Sequence, residues 1–346
     1  MSHVPFLDVA ATARWIRETG AEAIIAGMTD AIEADFRRWP QFDKTPRVAS
    51  HSREGVIELM PTSDGEAYGF KYVNGHPANP ARGFQTVTAF GVLADVASGY
   101  PTFVAEMTLL TALRTAATSA MAARHLARPD SAVMAMIGTG SQSEFQALGF
   151  RAALGIRSLR IWDVDPAAMD KLVRNLEPLG FDIHVAADAR DAVRGADVVT
   201  TCTADKQRAL VLTDDMVAPG VHVNAIGGDC PGKTELDPAI LHRAGVFVEF
   251  EPQTRIEGEI QAVPEDFPVT ELWQVVTGEA PGRRSPADIT VFDSVGFAVE
   301  DFAALSYARR AVAGTDLVSW LDLIAEPSDP KDLFALTTAD RLMPAL

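Results

Sequence analysis

Two textures of hydrophobic patterning divide the chain. In the first 130 residues, short apolar runs are broken by Pro and Gly. Residues 30–39 carry apolar side chains at helical spacing, and residues 55–60 and 68–73 read as strands. Residues 85–95 and 102–106 flank Ser98, Gly99 and Pro101 and predict a hairpin. Residues 108–128 are Ala-rich and free of Gly and Pro, which predicts a long helix. From Ser131 the texture changes. Residues 132–137 are apolar without polar alternation, as a parallel strand covered on both faces requires. Strands are predicted again at 159–163, 197–201, 221–226, 246–250 and 289–293. Helices are predicted at 166–176, with Pro166 in its first turn, and at 188–194 and 302–312. Strand and helix alternate at the pace of a doubly wound parallel sheet, so the fold class is α/β: a Rossmann-type domain beside an N-terminal α/β domain. The Pro/Asp-rich tail is expected to pack back on that first domain.

Composition narrows the partners. With 30 Lys and Arg against 47 Asp and Glu, the net charge is −17, which argues against nucleic acid and against an anionic membrane surface. No apolar run approaches the roughly 20 residues of a bilayer span. Asp8 and Arg14 stand where a signal peptide would place its apolar stretch, so a cytoplasmic location is expected. Cys202 and Cys230 form no disulfide framework, and no Cys/His cluster has zinc spacing, so no metal is expected.

A glycine-rich turn follows the first buried strand. Gly138 permits a tight turn, Gly140 lets a backbone approach a pyrophosphate, and a helix from Ser141 would turn free N–H groups toward anionic oxygens. Ser143 stands where a third Gly is usual. Asp163 lies 23 residues after Gly140 (163 − 140), at the end of the next strand, where a carboxylate accepts from an adenosine ribose and favours NAD over NADP. A strand–turn–helix without a ligand fits the same pattern.

Residues 224–236 (NAIGGDCPGKTEL) follow another buried strand, and ligands of open α/β sheets bind beyond strand carboxyl ends. Asp229 there is either an acid/base or a turn residue capping its own backbone. Cys230 lacks an evident activating His and reads as a packing residue. In the first region Arg47, Glu58, Lys71 and Arg114 stand out. Glu58 lies between Ile57 and Leu59, and Lys71 between Phe70 and Tyr72, so each either alternates toward solvent, the simpler reading, or sits in a site. Arg114 is an anion ligand or a solvated helix residue.

Seven segments together resemble the ornithine cyclodeaminase/mu-crystallin family. They are RVASHS from Arg47, VIELMP from Val56, GFKYVNGHPAN from Gly69, TALRTAA from Thr111, IGTGSQ from Ile137, GGDCPGKTEL from Gly227 and FDSVG from Phe292. The resemblance runs from about residue 30 to residue 335. It implies a substrate-binding and dimerisation domain at 1–130, to which 305–346 return, and an NAD-binding domain at 131–304. It also implies a homodimer and conversion of L-ornithine to L-proline and ammonia with tightly bound NAD. By resemblance, Arg47 and Lys71 bind the substrate carboxylate, aided by Arg114. Glu58 lines the pocket near an amine, Asp229 is the acid/base, and Val295 lies beside the substrate. Thr86, Arg114, Gly138, Gly140, Ser141, Gln142, Asp163, Thr203, Lys233 and Ser294 contact NAD.

The implied reaction suits these residue types. Hydride leaves Cα of ornithine, the δ-amine attacks that carbon, ammonia is lost from the cyclic aminal, and hydride returns to give proline. The δ-amine, like a lysine side chain, stays protonated up to about pH 10.4 and so needs a base. An amino-acid dehydrogenase, an imine or ketimine reductase, and a lysine cyclodeaminase share the same nucleotide loop. A non-catalytic binding protein is the reading from another class. The joint presence of Arg47, Lys71 and Asp229 favours the enzyme.

Overall fold

The computed structural model describes residues 3–203 and 209–338; of the expected returning tail, 339–346 lie outside the described residues. The first part runs β1 (His3–Leu7), α1 (Val9–Thr19), α2 (Ala21–Arg37), β2 (Val48–His51), β3 (Val56–Ser63), β4 (Ala67–Gly75), β5 (Ala89–Asp95), β6 (Pro101–Glu106) and α3 (Thr108–Leu126). The second runs β7 (Val133–Ile137), α4 (Ser143–Leu154), β8 (Ser158–Trp162), α5 (Pro166–Leu176), β9 (Asp182–Val185), α6 (Ala189–Val193), β10 (Val198–Thr201), β11 (His222–Ala225), α7 (Pro238–Arg243), β12 (Ala244–Val248), α8 (Glu251–Glu257), β13 (Thr270–Glu271), α9 (Leu272–Thr277) and β14 (Ile289–Asp293). The chain then forms α10 (Ala298–Val312) and β15 (Ser319–Asp322).

Two sheets result. The first has the order β15-β1-β6-β5-β4-β3-β2 and is antiparallel except where β1 runs parallel to β6. Its edge is closed by the C-terminal β15, which pairs antiparallel with β1, so part of the tail does lie on the first sheet. The second has the order β13-β12-β14-β11-β10-β7-β8-β9 and every pairing in it is parallel. Chain order reverses between β7 and β10, the switch point at which such sheets bind ligands.

The register aligns the carboxyl ends of the central strands: Ile137 pairs with Trp162 and Thr201, and Ala225 with Thr201 and Asp293. The loops after these strands therefore open along one edge. Buried α3 lies between the two sheets, its alanines letting α2 and α4 pack closely on it. Helix α10 packs on α2, α3 and strands of the first sheet.

Some expected boundaries shift. The helix expected at 30–39 begins at Ala21, and the one expected at 302–312 begins at Ala298. The helix after the glycine turn starts at Ser143 and not at Ser141, because Ser141 and Gln142 form the turn that leads into it. The strand expected at 246–250 spans Ala244–Val248, leaving Glu249 and Phe250 to turn the chain into α8. Strands β1, β2 and β9, of four or five residues each, are too short to read from the sequence, and β2 and β9 are exposed edge strands.

Candidate active site

Strand alternation decides the two ambiguous charges. In β3, Val56, Glu58 and Met60 face inward while Ile57 and Leu59 are exposed; in β4, Gly69, Lys71 and Val73 face inward. The solvent reading of Glu58 and Lys71 is thus overturned. The register was one residue out of phase with the hydrophobic side chains, and Lys71 is 1% exposed. Arg114, on α3, is buried as well.

Buried charges must be paired, because each alone would carry a large desolvation penalty. Asp301 Oδ1 accepts from Lys71 Nζ at 2.8 Å and from Arg114 Nε at 2.9 Å, and Glu300 Oε2 accepts from Arg114 Nη1 at 2.9 Å. Both acids lie in the first turn of α10. Arg47 spans the two sheets. Its Nη1 donates to Glu58 at 3.1 Å, its Nη2 donates to the carbonyls of Val295 and Gly296, and its Nε stands 3.0 Å from Glu257. Burial works against the Arg47 charge, but Glu58 and Glu257 outweigh it and hold the guanidinium protonated. Burial, with Arg114 beside it, brings the Lys71 ammonium down to about 8 although Asp301 opposes this. Burial raises the Glu257 carboxyl to about 7 against the pull of Arg47.

Asp229 follows β11 on the aligned edge. Its side chain is 56% exposed, Lys233 Nζ donates to it at 3.3 Å, and it lies within electrostatic reach of Arg47 and Glu257. The carboxylate thus pairs with a cation four residues on and not with its own turn backbone. Lys233 is buried and donates also to the Thr203 carbonyl at 3.0 Å. Burial opposes its charge, yet Asp229 and Glu235 raise its pKa overall.

A ladder of buried acids braces this loop. Asp293 accepts from the N–H groups of Glu259 and Ile260, each at 2.9 Å. Glu259 accepts from those of Glu235 and Leu236 at 2.8 and 3.0 Å, and Glu235 from the N–H and hydroxyl of Thr203. Gly227 and Gly228 are needed for this approach, since a Cβ would lie 2.0 Å from Glu235 Oε2 and 2.7 Å from Glu259 Oε1, respectively. Glu249 similarly holds Ser294, whose hydroxyl donates to it, and the N–H groups of Val295 and Gly296.

The edge beside the switch point fits a dinucleotide. Gly138 has φ +96°, and a Cβ there would lie 2.8 Å from the Cys202 carbonyl. Gly140 has open space where its Cβ would be, the cradle that a phosphate approach requires. Gln142 carries a buried side-chain oxygen without a partner. Asp163 accepts from the Thr139 N–H at 2.6 Å and the Asp165 N–H at 2.9 Å, so it shapes the turn at the end of β8. Ser141 is exposed in the glycine turn between β7 and α4. Thr86 is on the loop between β4 and β5, where its carbonyl accepts from the His76 N–H at 2.8 Å. Among the described residues no group of three or more His, Cys, Asp or Glu is placed to hold a metal ion, and no helix is long and apolar enough to cross a membrane.

Sequence reasoning missed Glu257, Glu300 and Asp301, and within the quoted motifs passed over Glu235 and Asp293. Two acids entering a helix that follows a Gly are a readable signal for Glu300 and Asp301; none marks Glu257.

A model of the ornithine cyclodeaminase/mu-crystallin family matches residues 11–316. The ornithine cyclodeaminase of Brucella suis biovar 1 is 60% identical over 333 residues, 96% of this chain and 93% of that protein. A solved lysine cyclodeaminase, described for recognition of L-lysine, L-ornithine and L-2,4-diaminobutyric acid, superposes with a TM-score of 0.90 at 32% identity, covering 96% of this chain and 99% of that one. An archaeal alanine dehydrogenase dimer with bound NAD gives a TM-score of 0.84 at 31% identity, covering 92% and 99%. The chain belongs to the ornithine cyclodeaminase/mu-crystallin family.

Proposed function

We propose that this chain is an NAD-dependent enzyme that converts L-ornithine to L-proline and ammonia with no net change of redox state. The observation that carries the reading is the meeting of three buried cations within electrostatic reach of one another, with acids around Arg47. Arg47, Lys71 and Arg114 suit a carboxylate; Glu58, Glu257 and Asp229 suit two amines. The 60% identity to an ornithine cyclodeaminase over nearly the whole chain supports the same substrate.

In this reading Lys71 and Arg47, with Arg114, hold the substrate carboxylate so that Cα stays in one place through the reaction; fixed geometry of this kind contributes up to about 7–11 kcal/mol. Glu58 lines the pocket beside an amine, and Val295 lies against the substrate. Asp229, half-exposed and held by Lys233, takes a proton from the δ-ammonium, which frees the amine to attack Cα, and returns a proton to the departing ammonia. Thr86, Arg114, Gly138, Gly140, Ser141, Gln142, Asp163, Thr203, Lys233 and Ser294 hold NAD. The open space at Gly140 supports a dinucleotide, and the carboxylate of Asp163 supports NAD over NADP. When bound, NAD supplies the acceptance of hydride from Cα and its return.

The domain division expected from the resemblance is proposed with one change. A boundary after residue 304 falls inside α10, whose partners belong to the first sheet. We therefore place the substrate domain at 1–130 and 298–346 and the NAD domain at 131–297. A homodimer through the outer face of the first sheet is the accompanying proposal. Val48, Leu59, Tyr72 and Phe90 are register neighbours across β2, β3, β4 and β5, and Val48, Leu59 and Phe90 are 62%, 45% and 44% exposed. Such a row invites a partner.

Ornithine deuterated at Cα, incubated with the protein and catalytic NAD, should yield ammonia and proline that keeps the label. Washout of the label or accumulation of NADH would refute the closed redox cycle, and net reduction of NAD with alanine would identify a dehydrogenase.

A further inference from the structure

Two of the three cations assigned to the substrate carboxylate are themselves held by an acid to which no role has been given. We propose that Asp301 is a positioning residue: by receiving Lys71 and Arg114 on one oxygen, it fixes both cations at the carboxylate subsite and keeps Lys71 charged. The inference rests on the reading that Lys71 and Arg114 bind that carboxylate.

The geometry points one way. Asp301 Oδ1 is 2.8 Å from Lys71 Nζ and 2.9 Å from Arg114 Nε. Lys71 comes from β4, Arg114 from α3 and Asp301 from α10, so a single oxygen ties together three elements. All three side chains are buried, which leaves water little part in setting their charge. An ammonium has three donors, so one bond to Asp301 leaves two for a ligand. Glu300, the neighbour of Asp301, takes Nη1 of Arg114 and thereby fixes the plane of the guanidinium fork.

The charges around Lys71 are unequal. Asp301 on α10 favours its protonated form. Arg114 on α3 and Arg47 before β2, the latter with Glu58 of β3 on its far side, oppose it, and so does burial. Lys71 ends near 8, close to losing its charge in the working range of pH. Asp301 is the acid in contact with it, so its removal should lower that value further. An opposite charge at this distance is worth about one to three pH units.

The test is the pH profile of kcat/KM for ornithine, read as proline formed, with NAD retention and thermal melting showing that each variant folds. In the free wild-type enzyme the alkaline limb should lie near 8. In Asp301→Asn it should move down by at least about one pH unit, so that kcat/KM falls at least about fivefold more at pH 8 than at pH 6. Asp301→Glu keeps the charge but displaces it by one methylene. Its limb should stay where the wild type has it, while KM rises several-fold and kcat changes less.

A folded, NAD-retaining Asp301→Asn with its limb unmoved overturns the inference. If that variant does not fold, Asp301→Glu decides: a wild-type KM overturns it. A wild-type protein that makes no proline from ornithine removes the underlying reading and this inference with it. An active wild type with an unmoved limb removes this inference alone.

Discussion

Two glycines in the same turn should fail in opposite ways. Gly138 sits at φ +96°, and a Cβ there would lie 2.8 Å from the carbonyl carbon and oxygen of Cys202 and 3.0 Å from the Thr203 nitrogen. A left-handed conformation costs a non-glycine residue about 1–2 kcal/mol. The clash is with backbone at the end of β10, which no rotamer change relieves, and overpacking of this kind costs about 1–3 kcal/mol. Gly138→Ala should therefore destabilise the NAD-free protein by about 2–5 kcal/mol. Gly140 meets nothing within 4 Å and its backbone lies outside the left-handed region. Gly140→Ala should leave the NAD-free protein within about 0.5 kcal/mol of wild type. If the pyrophosphate passes over Gly140, however, the added methyl displaces it from a backbone N–H. Losing one such charged hydrogen bond, about 1.5–3 kcal/mol, weakens NAD about 10- to 100-fold. Urea denaturation of NAD-free protein and calorimetric titration with NAD separate the two effects. The reasoning fails if Gly140→Ala binds NAD as wild type does, or if it destabilises the protein as much as Gly138→Ala.

Three further outcomes are expected. Asp229→Asn should bind NAD normally and make proline about 10²- to 10⁴-fold more slowly; near-normal turnover in a coupled ammonia assay would move the proton transfers to another group. Burial raises Asp293 to about 7 and Glu259 to about 8, so the folded chain holds protons that the unfolded chain releases near pH 4. Their stabilisation is complete below that value and is lost as pH rises through 7–8. Buried His222, pushed down to about 3, acts with the opposite sign, and its contribution is lost as pH falls below 6.5. Urea midpoints should therefore decline most steeply from about pH 6.5 to about 8, where His222 no longer offsets these acids, and level off above, with Asp293→Asn flattening that decline; an unaltered slope in the variant would count against the assignment. Leu59→Asp should convert a dimer to a monomer of unchanged circular dichroism, as read by light scattering, and a dimer of wild-type affinity would place the interface elsewhere.

The parallel sheet was legible because its signal is local. Buried strands such as Val133–Ile137 and Ile289–Asp293 are continuous apolar runs, and Gly138, Gly140 and Asp163 are set by turn geometry and strand length. The first sheet was harder because its alternation misleads. Ile57 and Leu59 point outward, where the chain exposes an apolar row, and Glu58 points inward to Arg47. The assumption that apolar side chains face the core sends Glu58 and Lys71 to solvent. The exposed apolar face and the buried charges are one fact, since a period of two fixes both. Motif resemblance singles out Lys71 and Arg114, but not why they tolerate burial. That depends on Asp301, 230 positions along the chain from Lys71 and 187 from Arg114. No spacing rule connects them, and only the return of α10 to the first sheet does. A buried cation recognised by motif thus implies a counter-charge somewhere in the chain; in this fold, the acid that completes the site belongs to the segment that comes back.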